Sequence, residues 1–138
     1  MITYRFNPNV SSLILEVRLE YVYERTRKML FDTGASLTVI TPRVAEELGY
    51  DLSQLKTASL YTASREESVY QLNLRSISME SGKILNISAL CMPLPSELKI
   101  DGLLGLNFLR HFNINLNFEE GILTFIPLEK LFIPLDIF

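Results

Sequence analysis

The chain has 138 residues, a length that fits one domain with a substantial buried core. Its 13 basic and 16 acidic residues give a net charge of −3, and no basic block is longer than Arg27-Lys28, so the charge pattern does not indicate nucleic-acid binding. The single cysteine, Cys91, excludes an intrachain disulfide and is predicted to pack in the core of a protein from a reducing compartment.

Signals for secretion and membrane insertion are missing from the sequence. The first eight residues lack the continuous apolar stretch of a signal peptide. No run of about 18 apolar residues is present to cross a bilayer. We therefore expect a soluble, cytoplasmic protein that does not contact membranes.

The first clear element is a strand. Leu13, Leu15, Val17 and Leu19 fall on one face of this strand and residues 14, 16, 18 and 20 on the other, which predicts one buried and one exposed face. Residues 24–28 are expected to turn the chain toward a second strand, and the two strands are expected to pair as a hairpin.

A short motif with one carboxylate follows the second strand. Asp32-Thr33-Gly34-Ala35-Ser36 lies between two apolar segments, residues 29–31 and 37–40. Glycine permits a tight turn, and the flanking β-branched and aromatic residues are typical of buried strands. The pattern therefore predicts that Asp32 is held rigidly at the edge of a sheet.

One helix has clear signals at both ends. Thr41 is a suitable N-cap, Pro42 fits the first helical position, and Gly49 fits the position after the last turn. The pattern predicts a short helix over residues 42–48.

The rest of the chain is predicted to be mostly β. Residues 58–72 contain two strand-like arms around a polar tip, and Pro93, Pro95 and Ser96 mark a loop. Residues 100–109 place two leucines before Gly105 and end in a short apolar segment. Residues 112–118 alternate between apolar and asparagine positions, and a turn at 119–121 leads into the mostly apolar residues 122–126, which predicts a terminal hairpin.

The Asp-Thr-Gly-Ala-Ser motif at residues 32–36 is followed by the segment at residues 100–109 with two leucines before Gly105. These two motifs, in this order, resemble the retropepsin-like (retroviral-type) family of single-domain aspartic proteases over roughly residues 12–126. The resemblance implies a mainly β fold: one closed β-barrel or sandwich with a flap hairpin and one or two short helices. It makes residues 1–138 a single domain, with residues 127–138 as an apolar C-terminal tail. It assigns Asp32 as the catalytic acid, Thr33, Gly34, Ala35 and Ser36 as the active-site turn, and Leu103, Leu104 and Gly105 as its support.

The resemblance also implies a flap that folds over bound substrate, with Tyr61, Thr62, Ala63 and Ser64 at its tip. The family's tip glycine is missing here, and we expect its replacement by Ser64-Arg65, followed by Glu66-Glu67, to make the tip stiffer or bulkier and more charged. A plain surface hairpin is the alternative interpretation.

Peptide hydrolysis by water needs one group to take a proton and another to give one. Two aspartates about 3 Å apart meet this need, because they cannot both ionise. The chain has four aspartates, Asp32, Asp51, Asp101 and Asp136. Asp101 is a conceivable intrachain partner, but no Thr-Gly follows it. We therefore expect the second carboxylate to come from Asp32 of another copy, in a homodimer in which, by the resemblance, the Thr33 hydroxyls hydrogen-bond across the axis.

The predicted substrate is an extended peptide lying between the protomers. Candidate pocket residues by analogy, each equally consistent with ordinary packing, are Leu30, Val39, Tyr61, Ala63 and Leu103. No cofactor or metal is expected, because His111 and Cys91 stand alone.

Two alternatives stay open at this point. The apolar tail at residues 131–138 either packs into the dimer interface or folds back on its own domain. The chain is either an active endopeptidase or a non-catalytic dimerisation or peptide-binding module with the same fold.

Overall fold

The computed structural model describes residues 1–61, 65–80 and 82–128. The strands are β1 Ile2–Arg5, β2 Ile14–Glu20, β3 Glu24–Phe31, β4 Thr38–Ile40, β5 Lys56–Tyr61, β6 Glu66–Met79, β7 Gly82–Cys91, β8 Gly102–Leu104, β9 Phe112–Asn117 and β10 Ile122–Pro127. The helices are α1 Pro42–Glu47 and α2 Leu106–Leu109, and short 3₁₀ turns lie at Leu52–Gln54 and Ser96–Leu98.

Six strands close a barrel. β2, β3, β8, β4, β7 and β6 are hydrogen-bonded in that order, and β6 also pairs with β2 to complete the ring. β5 pairs with the first part of β6 outside the ring, and β1, β10 and β9 form a second sheet. The predicted mainly β architecture, a closed barrel with few short helices, is confirmed.

The predicted first hairpin is present as β2 and β3. Leu15, Val17 and Leu19 are buried and the residues between them are exposed, as the alternation predicts. The predicted turn at residues 24–28 is wrong, because these residues form the start of β3 and the turn lies at 21–23. The backbone N–H groups of Val22 and Tyr23 donate to the Leu48 carbonyl at 3.0 and 3.1 Å, so the end of α1 fixes the turn.

β8 lies between β3 and β4 in the barrel. It runs parallel to β3, with Leu103 opposite Leu30, and antiparallel to β4, with Leu103 opposite Val39. The chain between β3 and β4 must therefore pass over the end of β8. β3 and β4 each lie about 4.8 Å from β8, on opposite sides of it. Residues 32–37 must span the gap between β3 and β4, and this crossing fixes their position.

Helix α1 begins at Pro42, as predicted, and ends at Glu47, one residue before the predicted end. The Thr41 hydroxyl oxygen accepts a hydrogen bond from the Val44 N–H, and Pro42 occupies the first turn. Gly49 follows with φ of 103°, a left-handed conformation that favours glycine. Val44 and Ala45 are buried, so the helix packs against the barrel.

The predicted terminal hairpin is present as β9 and β10, with Gly121 at φ 67° in the turn. β1 has no counterpart among the predicted strands, because its four residues are too few to show alternation and its hydrogen-bond partner is β10. The alternating pattern extends to Phe118, but β9 ends at Asn117 and Phe118 is 58% exposed. The predicted packing of the tail at residues 131–138 lies outside the described residues.

Aromatic rings join the second sheet to the barrel. The Phe125 ring lies edge-on to Tyr4, Phe31 and Phe112 at centroid distances of 5.9, 6.1 and 5.3 Å. Because Phe31 directly precedes Asp32, this cluster anchors the end of β3 that leads into the turn.

Cys91 lies in the core, as predicted, with 1% of its surface exposed. Burial, and secondarily the Glu46 carboxylate, raises the pKa of its thiol to about 11. Within residues 1–61, 65–80 and 82–128, no helix is long and apolar enough to cross a membrane. The same residues contain no cluster of three or more histidine, cysteine or carboxylate side chains that could hold a metal ion.

Candidate active site

Asp32 is held by its own turn and by β8. Its N–H donates to the Leu104 carbonyl at 3.2 Å, and its carbonyl accepts from the Ala35 N–H at 3.3 Å. The Asp32 carboxylate oxygen Oδ1 accepts from the Gly34 N–H at 2.9 Å. A Cβ at position 34 would lie 3.2 Å from that oxygen, so glycine leaves room for the bond. The half-buried carboxylate therefore has a fixed orientation at the end of β3.

The second half of the turn is attached to α2. The Leu106 N–H donates to the Ala35 carbonyl at 2.8 Å, and the Asn107 N–H donates to the Ser36 carbonyl at 3.2 Å. Thr33, Gly34 and Ser36 are exposed. The segment from β8 into α2 therefore hydrogen-bonds to one side of the turn, and the other side of the turn is exposed to solvent.

Two glycines let β8 approach its neighbours closely. A Cβ at Gly102 would lie 2.2 Å from the Val39 carbonyl oxygen. A Cβ at Gly105 would lie 2.4 Å from the carbonyl carbon of Leu37 and 2.8 Å from the Thr38 nitrogen. These contacts are with backbone atoms, which cannot adjust as readily as the end of a flexible side chain. Gly105 therefore lies against the backbone of Leu37 and Thr38, where the chain leaves the turn and enters β4.

Asn107, which is half-buried, and the buried Thr38 form a polar link that the sequence interpretation missed. Asn107 Oδ1 accepts from both the Thr38 N–H and the Thr38 hydroxyl at 2.9 Å, and Asn107 Nδ2 donates to the Ser88 carbonyl at 2.7 Å. The Thr38 hydroxyl oxygen also accepts from the Gly105 N–H at 3.3 Å. One available signal is the amide at position 107, which interrupts the apolar run of residues 103–109.

Substituting Asn107 with alanine is expected to destabilise the fold by about 1–3 kcal/mol, because it leaves the fully buried Thr38 N–H without an acceptor. Urea unfolding followed by circular dichroism measures the loss. Asn115→Ala, an exposed asparagine on β9, is the matched control and should change stability by less than about 0.5 kcal/mol. Equal stability of the two variants would show that the link adds nothing.

Asp101 lies at the opposite end of β8 from Asp32. Its carboxylate accepts from the Lys28 N–H at 2.8 Å, and its own N–H donates to the Lys28 carbonyl at 2.7 Å. Lys28 precedes Asp32 by four strand residues, or about 13 Å. Asp101 is therefore not an intrachain partner of Asp32, and Asp51 caps the 3₁₀ turn at Leu52–Gln54 instead.

Three of the candidate pocket residues lie side by side. Leu30, Leu103 and Val39 occupy one register row across β3, β8 and β4. Partners in such a row point to the same face of a sheet. Tyr61, at the end of β5, is 76% exposed. The remaining predicted tip residues, Thr62, Ala63 and Ser64, lie outside the described residues.

Comparison with known sequences identifies the family. Residues 21–111 match the family described as "gag-polyprotein putative aspartyl protease", and the match includes the Asp32 turn, β8 and α2. The chain belongs to this family. No curated protein matches the sequence significantly.

Solved structures agree with this assignment at the level of the fold. One is a crystal structure of a retropepsin-like aspartic protease from Rickettsia conorii, whose sequence is 24% identical to this one. The alignment covers 90% of this chain and 88% of the Rickettsia chain, with a TM-score of 0.71. Another is the EIAV protease in complex with the inhibitor HBY-793, whose sequence is 17% identical. That alignment covers 74% of this chain and 89% of the EIAV chain, with a TM-score of 0.57. The retropepsin-like fold predicted from the two motifs is thus confirmed.

Proposed function

We propose that this protein is an aspartic endopeptidase that works as a homodimer, with Asp32 of each subunit in one shared site. The observation that carries the proposal is a rigidly oriented Asp32 carboxylate, while Asp51 and Asp101, the other aspartates in the part of the chain that the structure describes, are engaged elsewhere. In this proposal, a second copy of the turn brings the second carboxylate to within about 3 Å. A two-fold axis beside the turn supplies it.

The exposed surface of the turn supports this arrangement. Thr33 is exposed next to Asp32, where a two-fold axis would bring the two hydroxyls within hydrogen-bond distance of the partner turn. The backbone bonds from β8 and α2 hold each turn before assembly, so dimerisation need not reorder it. Such pre-organisation lowers the entropic cost of bringing the two acids together.

The two carboxylates would divide acid and base work. The ionised Asp32 takes a proton from a water molecule, whose oxygen attacks the peptide carbonyl carbon, while the protonated Asp32 gives its proton to the carbonyl oxygen. When the tetrahedral intermediate collapses, the C–N bond breaks and the leaving amine takes a proton from the pair, while one hydroxyl of the intermediate returns its proton to the pair as the C=O bond re-forms. The two acids therefore end with one shared proton, as they began.

The substrate would be an extended peptide between the turn and the β5–β6 hairpin. Such a peptide pairs by main-chain hydrogen bonds and is selected by alternate side chains. The row formed by Leu30, Leu103 and Val39 gives the floor of the cleft an apolar side-chain pocket in this proposal.

The test combines oligomeric state with activity. Light scattering across a wide concentration range should show monomer converting to dimer, and digestion of unfolded casein at about pH 4–6, where a carboxylate pair holds one proton, should rise more steeply than enzyme concentration. A pepstatin-type inhibitor should shift the equilibrium toward dimer. Activity that stays linear with concentration in a monomer would overturn the dimer site, and a stable dimer without activity would favour a non-catalytic binding module.

A further inference from the structure

A groove of about 650 Å³ lies on the outer face of β5, β6 and β7, beside the active-site turn. Leu37 forms one wall, and it is the residue that leaves the turn and enters β4. The groove therefore begins where the active-site turn ends. A peptide that extends along the β5–β6 hairpin would pass into it.

The strand register sets the groove's lining. Lys56, Gln71 and Leu90 are opposite one another on β5, β6 and β7, and Asn73 is opposite Ser88 in the next row. Direct partners on neighbouring strands have Cβ atoms about 5 Å apart on the same face. Lys56 and the two amides therefore lie side by side with Leu90 on one face of the sheet.

Lys56 gives the groove a single sign of charge. It is the one charged side chain among the residues that line the groove. Across residues 1–61, 65–80 and 82–128, no salt bridge involves it. The Ser88 hydroxyl donates to Asn73 Oδ1 at 3.0 Å, which leaves the Asn73 amide nitrogen as the group able to donate to a ligand. Gln71 supplies a further amide donor.

We propose that this groove selects substrates carrying an acidic side chain, with Lys56 as the specificity-determining residue. The inference rests on the proposed function, because the acidic residue would belong to the peptide bound in the cleft. A glutamate carboxylate would pair with the Lys56 ammonium and accept from the Gln71 or Asn73 amide. Its methylene groups would pack on Leu37 and Leu90. A lysine or arginine at the same substrate position would meet like charge and be rejected.

A proteome-derived peptide library tests the inference. After digestion by the full-length protein, mass spectrometry gives the residue frequencies around each cut bond. Wild type should enrich Asp or Glu about two- to fivefold at one position away from the cut, the range expected for an exposed ion pair. Lys56→Gln should lose the enrichment and Lys56→Glu should favour Lys or Arg there. Lys83→Glu, an exposed lysine on β7 outside the groove, is the matched control and should keep the wild-type profile. An unchanged acidic preference in Lys56→Glu would overturn the assignment.

A binding measurement separates this inference from the proposed function. Asp32→Asn protein is applied to an array of immobilised peptides that differ only by Glu or Gln at one position. We expect two- to fivefold stronger binding to the Glu members, and reversal with Lys56→Glu added. Equal binding to both members overturns the groove assignment even if wild type is an active protease. A preserved Glu preference in a protein that never cleaves overturns the proposed function and leaves the groove assignment standing.

Discussion

Replacing Asp32 with asparagine is expected to lower kcat for peptide hydrolysis by at least about 10²–10⁴-fold, the usual contribution of a general acid or base. An asparagine pair can neither take a proton from water nor carry one to the carbonyl oxygen. The fold should survive, because the asparagine Oδ1 can still accept the Gly34 N–H that Asp32 accepts now. Hydrolysis of unfolded casein at about pH 4–6 measures the loss, and melting temperature and light scattering check fold and assembly.

Asp101→Asn is the matched control for this substitution. Asp101 is about 13 Å along the strand from Asp32, and an asparagine oxygen there can still accept from the Lys28 N–H. This variant should therefore retain wild-type activity. Full activity of Asp32→Asn would reject the carboxylate mechanism, and loss of activity in a well-folded Asp101→Asn would restore Asp101 as a candidate catalytic acid.

Gly105→Ala is expected to destabilise the fold by about 3 kcal/mol, at the upper end of the range for overpacking. The added methyl would lie 2.4 Å from the carbonyl carbon and 2.5 Å from the carbonyl oxygen of Leu37, where only backbone movement could relieve the clash. That movement would also displace the Asp32 turn, because α2 begins at the next residue and holds the turn through Leu106 and Asn107. Thermal unfolding should show a midpoint about 10 °C lower.

Gly82→Ala controls for the intrinsic effect of replacing a glycine. A Cβ at Gly82 would lie 3.2 Å from Ile2 Cδ1, the far end of a flexible side chain that can adjust. Gly82→Ala should therefore lower the free energy of unfolding by less than about 1 kcal/mol. If Gly105→Ala is as stable as Gly82→Ala, β8 does not pass as closely under the turn as the structure describes.

The local patterns that the sequence predicts well are those whose signal lies within a few residues. The β2–β3 hairpin, the α1 helix with its Thr41 cap and Gly49, and the β9–β10 hairpin all follow from alternation, capping and turn chemistry. The turn at residues 24–28 was predicted wrongly, because charged residues on an exposed strand resemble loop residues. β1 was not predicted, because a four-residue strand is defined by its partner, β10, from the far end of the chain.

By itself, the sequence determined the family motifs and singled out Asp32 as the one aspartate followed by Thr-Gly. Only the tertiary structure decided how that turn is held. The Thr38–Asn107 hydrogen bonds join residues 69 positions apart. The groove that Lys56 lines is formed on β5, β6 and β7, and no local sequence pattern specifies the register of these three strands. Asp101 was likewise separated from Asp32 only by the parallel pairing of β3 with β8, which places the two carboxylates at opposite ends of one short strand. The physical reason is that hydrogen bonds and close contacts between distant segments depend on where the strands cross, whereas capping and alternation depend on neighbours along the chain.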